Sequence, residues 1–145
     1  MRFTAVAADG APIDFECADA PEARSACDSI LAGKTYPFLP FVGDVQVVFD
    51  VGAGCGAATV HFARHYRDAR IHAFEPDAES RAILRRNAAE YANVRVRDDG
   101  GEPMSSGVWA KEQGLGRVDV LTVDPRLGAA EVLEGLASFL PMVKV

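Results

Sequence analysis

The feature that most constrains this chain is an apolar run that ends in a glycine-rich turn. Residues 47–60 read VVFDVGAGCGAATV. Val45 to Val51 is nearly continuous apolar, the pattern of a strand buried on both faces in a parallel sheet. Glycines follow at every second position, Gly52, Gly54 and Gly56. Without a Cβ and with access to positive φ, they let the backbone approach a ligand closely at the strand's end. The pattern of residues 56–66 predicts a helix whose first N–H groups would point toward that ligand. In doubly wound α/β sheets, ligands bind beyond the carboxyl ends of the strands, where strand order reverses.

The remaining chain agrees with this class. After the glycines, ARIHAF predicts a second buried strand, ending at Glu75-Pro76. Asp77 then suits the cap of a helix to about Tyr91, with Leu84, Ala88 and Tyr91 on one face. NVRVR and VDVLTVD predict a third and a fourth strand, with one helix around Val108 to Gln113 between them. Val132, Leu133, Leu136, Phe139 and Leu140 mark an amphipathic helix, and PMVKV would begin a fifth strand. Alternating strands and helices imply a mostly parallel, doubly wound sheet. Ahead of this core, Asp9-Gly10 predicts a hairpin turn between two short strands within residues 2–17. A short helix follows, with Asp19 as its cap, Pro21 in its first turn and Gly33 at its end. The chain reads as one domain, an N-terminal extension over 1–37 and a core over 38–145.

At 145 residues, such a domain buries roughly 70% of its unfolded surface and needs no disulfide or metal to hold a core. The formal net charge of −6 lacks the basic footprint of a nucleic-acid binder. Arg81, Arg85, Arg86, Arg95 and Arg97 interleave with acidic residues and read as a solvated face. The three cysteines, Cys17, Cys27 and Cys55, are odd in number and lack CxxC spacing, so they suggest neither a disulfide framework nor a zinc site. Cys55 reads as a small filler, and His72 as structural. His61 and His65 lie one helical turn apart, but no third metal ligand accompanies them. With no signal-peptide or membrane-spanning run, a cytoplasmic protein without membrane partners is the expectation.

Gly52-Ala53-Gly54-Cys55-Gly56-Ala57 satisfies G-x-G-x-x-A, so a dinucleotide-binding loop is one reading. Glu75, nineteen residues past Gly56, can accept hydrogen bonds from ribose hydroxyls in either a dinucleotide or S-adenosylmethionine. Asp50 discriminates. A carboxylate just ahead of the glycines suits the ammonium and sulfonium of S-adenosylmethionine and would repel a pyrophosphate.

VFDVGAGCG resembles the D-x-G-x-G-x-G motif of class I S-adenosylmethionine-dependent methyltransferases. HAFEPDAESRAILRRNAAEYANVRV, with its F-E-P triplet, L-x-x-N and N-V-x-V, resembles the FkbM-like subgroup, as does VDVLTVD with EVLEGL. The resemblance covers residues 38–145. It implies a Rossmann-like methyltransferase fold, S-adenosylmethionine as cofactor and a small-molecule acceptor, most plausibly a hydroxyl. It further implies that Asp50, Gly52, Gly54 and Gly56 border the methionine part and the sugar, and that Glu75 holds the ribose. Asp98 or Asp99 would meet the adenine amino group, although before Gly100 both also suit a plain turn. Asp124 would face the transferred methyl as the catalytic residue.

Two departures accompany the resemblance. The subgroup's D-x-E-G-x-E becomes DPRLGAAE, with Arg126 and Ala129 at the glutamate positions and Leu127 at the glycine. Base catalysis then rests on Asp124 or on nothing visible. The sequence also ends where a class I sheet usually adds two more strands. Either the chain is a fragment or the sheet is trimmed, and an apolar terminal edge strand would favour a homodimer or a covering segment. A degenerate fold that binds the cofactor or a protein partner without turnover is the alternative function.

Overall fold

A computed structural model describes residues 1–37, 43–97 and 105–137. Strands β1 (Arg2–Val6) and β2 (Pro12–Glu16) form an antiparallel hairpin, turned at Gly10 with φ 84°. Helix α1 (Pro21–Leu31) follows. Its N-cap is Ala20, which makes no side-chain bond, so the cap expected of Asp19 is not formed; Pro21 at the first position starts the helix instead. Gly33 takes φ 72° just past its end, as expected.

The core then alternates as β3 (Val47–Val51), α2 (Ala57–His65), β4 (Arg70–Phe74), α3 (Ala78–Ala88), β5 (Val94–Arg97), α4 (Ser105–Glu112) and β6 (Val120–Val123). A 3-10 turn over Pro125–Leu127 leads into α5 (Ala129–Gly135). The four core strands are all parallel, in the order β5-β4-β3-β6. The chain steps outward from β3 to β5 and then returns to lay β6 on the other side of β3. That reversal opens a crevice at the carboxyl ends of β3 and β6, and Asp50 lies level with Ala73 and Thr122 there. Among the described residues the sheet has four strands; the expected fifth strand at PMVKV lies outside them.

Helices cover both faces. Val48, Ile71, Ala73 and Val94 pack against Phe62 and Ala63 of α2 and Leu84 and Ala88 of α3. Phe49, Val51 and Phe74 pack on the opposite face against Trp109, Ala110, Val132 and Leu136. Ile13, Phe15, Cys27 and Leu31 from the hairpin and α1 bury Ala57 and Val60 of α2 in a third cluster. The N-terminal segment therefore covers the helix that follows the glycines.

Several element ends differ from the sequence expectation for local reasons. The apolar run starts at Val45, yet β3 starts at Val47, because the Gln46 and Val47 N–H groups bond to the Asp119 carboxylate. Asp77 caps α3 as expected, accepting from Ser80 N at 2.7 Å. That helix ends at Ala88 rather than Tyr91, since Tyr91 N bonds to Ala88 O in a tighter turn. The last helix starts at Ala129, earlier than expected, after the turn that Pro125 and the left-handed Gly128 impose.

His72 is buried between Phe49 and Trp109, and its Nδ1 accepts from Arg97, whose guanidinium stacks on Trp109. Burial first, then the charges of Arg97, Arg70 and Arg95, push its pKa down to about 3. The folded chain thus holds His72 neutral, while the unfolded chain takes up a proton below about pH 6.5. Stability owed to this neutral ring is complete above that pH and is lost as pH falls toward 3. Between pH 7.5 and 5, His72 is expected to contribute a loss of about 1–2 kcal/mol. Urea unfolding at the two pH values should show it, and His72→Phe should remove that part of the slope. An unchanged slope in the variant would refute the assignment.

Candidate functional site

The glycine loop sits over the crevice between β3, β4 and β6. Gly52, Gly54 and Gly56 take φ values of 78°, 56° and 92°, a region that side-chain-bearing residues rarely adopt. Two of them are also needed for space. A Cβ on Gly52 would lie 2.6 Å from the Cβ of Asp124 and 2.7 Å from Leu127 Cδ1. A Cβ on Gly56 would collide with Leu84 Cδ1. Gly54 differs, because a Cβ there would meet nothing within 4 Å. The middle of the loop therefore faces open space, while its two ends are pressed against the fold.

Glu75 follows the last residue of β4 and is 6% exposed. One carboxylate oxygen accepts from Gly54 N at 2.6 Å and the other from Asp77 N at 2.8 Å. The carboxylate thus joins the glycine loop to the start of α3. Phe74 O supports the same loop, accepting from Gly52 N at 2.8 Å and Ala53 N at 3.0 Å. Each carboxylate oxygen keeps a further lone pair, so Glu75 can accept hydroxyl donors without releasing the loop.

Asp50 lies beneath the loop at 3% exposure. Its oxygens accept from Thr59 Oγ1 of α2 at 2.6 Å and from Thr122 Oγ1 of β6 at 2.8 Å. Burial raises its pKa, the two hydroxyls oppose that shift, and the Glu75 charge adds to it. A positive ligand group above the loop would relieve this carboxyl, and a phosphate would aggravate it.

Asp124 stands at the end of β6, with its backbone N–H on Val51 O at 2.8 Å. Its carboxylate accepts from Arg126 N at 2.9 Å and pairs with the Arg126 guanidinium. That guanidinium holds the carboxyl below its ordinary range, against a smaller effect of burial. The arginine side chain is itself 87% exposed and lies close enough to Glu75 for that charge to stabilise it. Burial first, then the charges of Asp50 and Asp124, raise the pKa of Tyr36, whose ring packs on Phe62. Among the described residues, three carboxylates outnumber the two guanidinium groups near the loop, Arg126 on Asp124 and Arg81 on the Glu75 carbonyl, a balance suited to a cationic ligand.

Asp50, Gly52, Gly54, Gly56, Glu75 and Asp124 are thus brought to one end of the sheet. Asp98 and Asp99 lie outside the described residues. Sequence reasoning missed Thr59, Thr122 and Tyr36. Thr59 and Thr122 carry a legible signal only once the register places them beside Asp50; Tyr36 carried no motif. His61 is occupied elsewhere, its Nε2–H donating to Tyr36 O at 2.9 Å. Among the described residues, no group of three potential ligands could hold a metal ion. No described helix is long and apolar enough to cross a membrane.

The sheet order, the glycine loop and the helices on both faces form a Rossmann-like methyltransferase fold. A crystal structure of a methyltransferase from Geobacter sulfurreducens is similar, with a TM-score of 0.53 and 21% sequence identity. The similarity covers 83% of this chain and 65% of that one, so this chain spans just under two thirds of the other's length. A family model described as the precorrin methyltransferase domain matches residues 40–105, just under half of the chain. That segment runs from β3 through the glycine loop to β5 and contains Asp50 and Glu75. Among curated proteins, none matches the chain.

Proposed function

We propose that this chain is an S-adenosylmethionine-dependent methyltransferase that acts on a small molecule. The observation that carries the reading is the carboxylate-lined glycine loop at the sheet's reversal point. Its middle, at Gly54, leaves the room a nucleoside needs, and its surroundings suit positive charge. Glu75 would hold the ribose hydroxyls. Gly54 would let the cofactor lie against the backbone, Gly52 would let the loop close on Asp124, and Asp50 would support the loop from below. Asp98, which follows β5 in the sequence, would reach the adenine. The cofactor supplies a methyl group activated on a sulfonium.

Asp124 and Arg126 stand beside the loop and would border the acceptor. A carboxylate paired to a guanidinium is a weak base, so Asp124 contributes orientation more than proton removal. Rate then comes mainly from alignment of the acceptor atom with the methyl group. The motif resemblance points to an acceptor hydroxyl, and the name of the matched family model points to a precorrin.

Calorimetry tests the cofactor. S-adenosylhomocysteine should bind with micromolar affinity and NAD should not; binding of NAD alone would overturn the proposal. An acceptor panel with labelled methyl donor then decides between hydroxyl-bearing small molecules and a precorrin. Failure of every acceptor, with S-adenosylhomocysteine still bound, would favour a binding module without turnover.

A further inference from the structure

The three cysteines, scattered in sequence, meet in the fold. Cys55 sits in the glycine loop between Gly54 and Gly56, half-buried. Cys27, on α1, is buried, and the two Sγ atoms are 3.5 Å apart. Cys17, at the end of the hairpin, is buried beside them, with its Sγ on Ala18 O at 3.2 Å. Cys27 belongs to the cluster that buries α2, so this contact joins the N-terminal segment to the loop.

We propose that Cys55 and Cys27 form a peroxide-reactive thiol pair whose oxidation bridges α1 to the glycine loop. Cys55 is the attacking member. The Cys27 thiol bonds to it, and the N–H groups of Ala57 and of Cys55 itself favour its thiolate, against burial. The Cys55 thiolate attacks one oxygen of hydrogen peroxide; the S–O bond forms, the O–O bond breaks, and the leaving hydroxide takes up the proton released when the Cys55 thiol ionised, giving water. The Cys27 sulfur then attacks Cys55, the S–S bond forms, and the S–O bond breaks. The departing hydroxide takes the Cys27 proton as a second water. Two thiols lose two electrons and one peroxide gains them.

The bridge must shorten the 3.5 Å separation to about 2.0 Å. The Cys55 backbone is held in place by its carbonyl, which accepts from Asn87 Nδ2 at 2.8 Å. Drawing the sulfur toward α1 therefore strains the loop that presents Gly54 N to Glu75. If the loop holds the cofactor, as proposed above, oxidation lowers cofactor affinity.

Peroxide treatment of the whole protein, followed by non-reducing tryptic mass mapping, tests the pair. Residues 25–34 and 35–64 carry Cys27 and Cys55, and residues 3–24 carry Cys17. The expected product is a cross-link between the first two, with loss of two hydrogens. It should persist in Cys17→Ser and vanish in Cys27→Ser, where dimedone should trap the Cys55 sulfenic acid. Hydrogen exchange should slow about tenfold at residues 52–59 in the oxidised form. S-adenosylhomocysteine should bind it about tenfold more weakly, the equivalent of about 1.4 kcal/mol. A cross-link through Cys17 instead, or a wild-type loop that takes up oxygen without bridging, would overturn the pair. If the reduced protein fails to bind S-adenosylhomocysteine, the cofactor reading falls, and the cross-link and exchange results still decide this proposal.

Discussion

Asp119→Ala is expected to lower the unfolding free energy by about 2–4 kcal/mol, the cost of leaving two backbone donors without their charged acceptor. Asp119 is fully buried at the start of β6, and its carboxylate pairs with the Arg117 guanidinium. One oxygen also accepts from Gln46 N at 2.8 Å and Val47 N at 3.0 Å. Burial works to raise its pKa, but Arg117 and the two N–H groups outweigh it and leave the value below 3.8. The stabilisation is therefore present above about pH 4 and fades as acid protonates the folded carboxylate. Alanine would leave the Gln46 and Val47 N–H groups without their acceptor, and the partly exposed Arg117 guanidinium with Asp44 alone. Domains of this size have about 5–15 kcal/mol in total, so the loss is a large fraction. Urea unfolding at pH 7 measures it. Because Asp119 lies at the amino end of the strands, the folded fraction should keep its affinity for S-adenosylhomocysteine. A change of under 1 kcal/mol would show that the pair is not holding the start of β3.

The second large effect is expected at the other end of the sheet. Glu75→Ala should weaken S-adenosylhomocysteine about hundredfold, near 2.7 kcal/mol, as expected for losing hydrogen bonds to a charged acceptor. Glu75→Gln keeps one carbonyl acceptor and should lose about tenfold. Because Glu75 also holds Gly54 N and Asp77 N, the alanine variant should lose stability as well. Calorimetry on the folded fraction, with the urea midpoint taken alongside, separates the two effects. Equal affinity in wild type and both variants would remove Glu75 from the site.

Much of the frame was readable from residue pattern because β3 and β4 are apolar enough to be buried on both faces, and the other two core strands carry alternating or continuous β-branched and aliphatic residues. The three glycines announced the loop because backbone geometry needs them there. What escaped was non-local. Asp119 looks like an ordinary polar interruption in VDVLTVD, yet it determines where β3 begins, seventy-two residues earlier. Thr59 and Thr122 are unremarkable in sequence and acquire meaning only from the register that sets them beside Asp50. The same holds for the thiols: odd in number and unevenly spaced, they signalled nothing, and the docking of α1 on α2 brought them together. Read from the sequence, Asp50 borders the methionine part of a cofactor; in the fold it is buried beneath the loop at 3% exposure.

The enclosure of Asp50 has an evolutionary meaning. Its two oxygens are shared between a hydroxyl on α2 and a hydroxyl on β6. Removing the carboxylate alone strands both hydroxyls, and removing the hydroxyls alone strands a buried charge. No single step away from this arrangement is cheap, so the three positions form one unit of substitution. They should drift together or not at all, whatever happens to the more exposed Asp124 and Arg126. The exposed rim of the crevice, at Arg126, should then tolerate substitution more readily than the floor of the glycine loop.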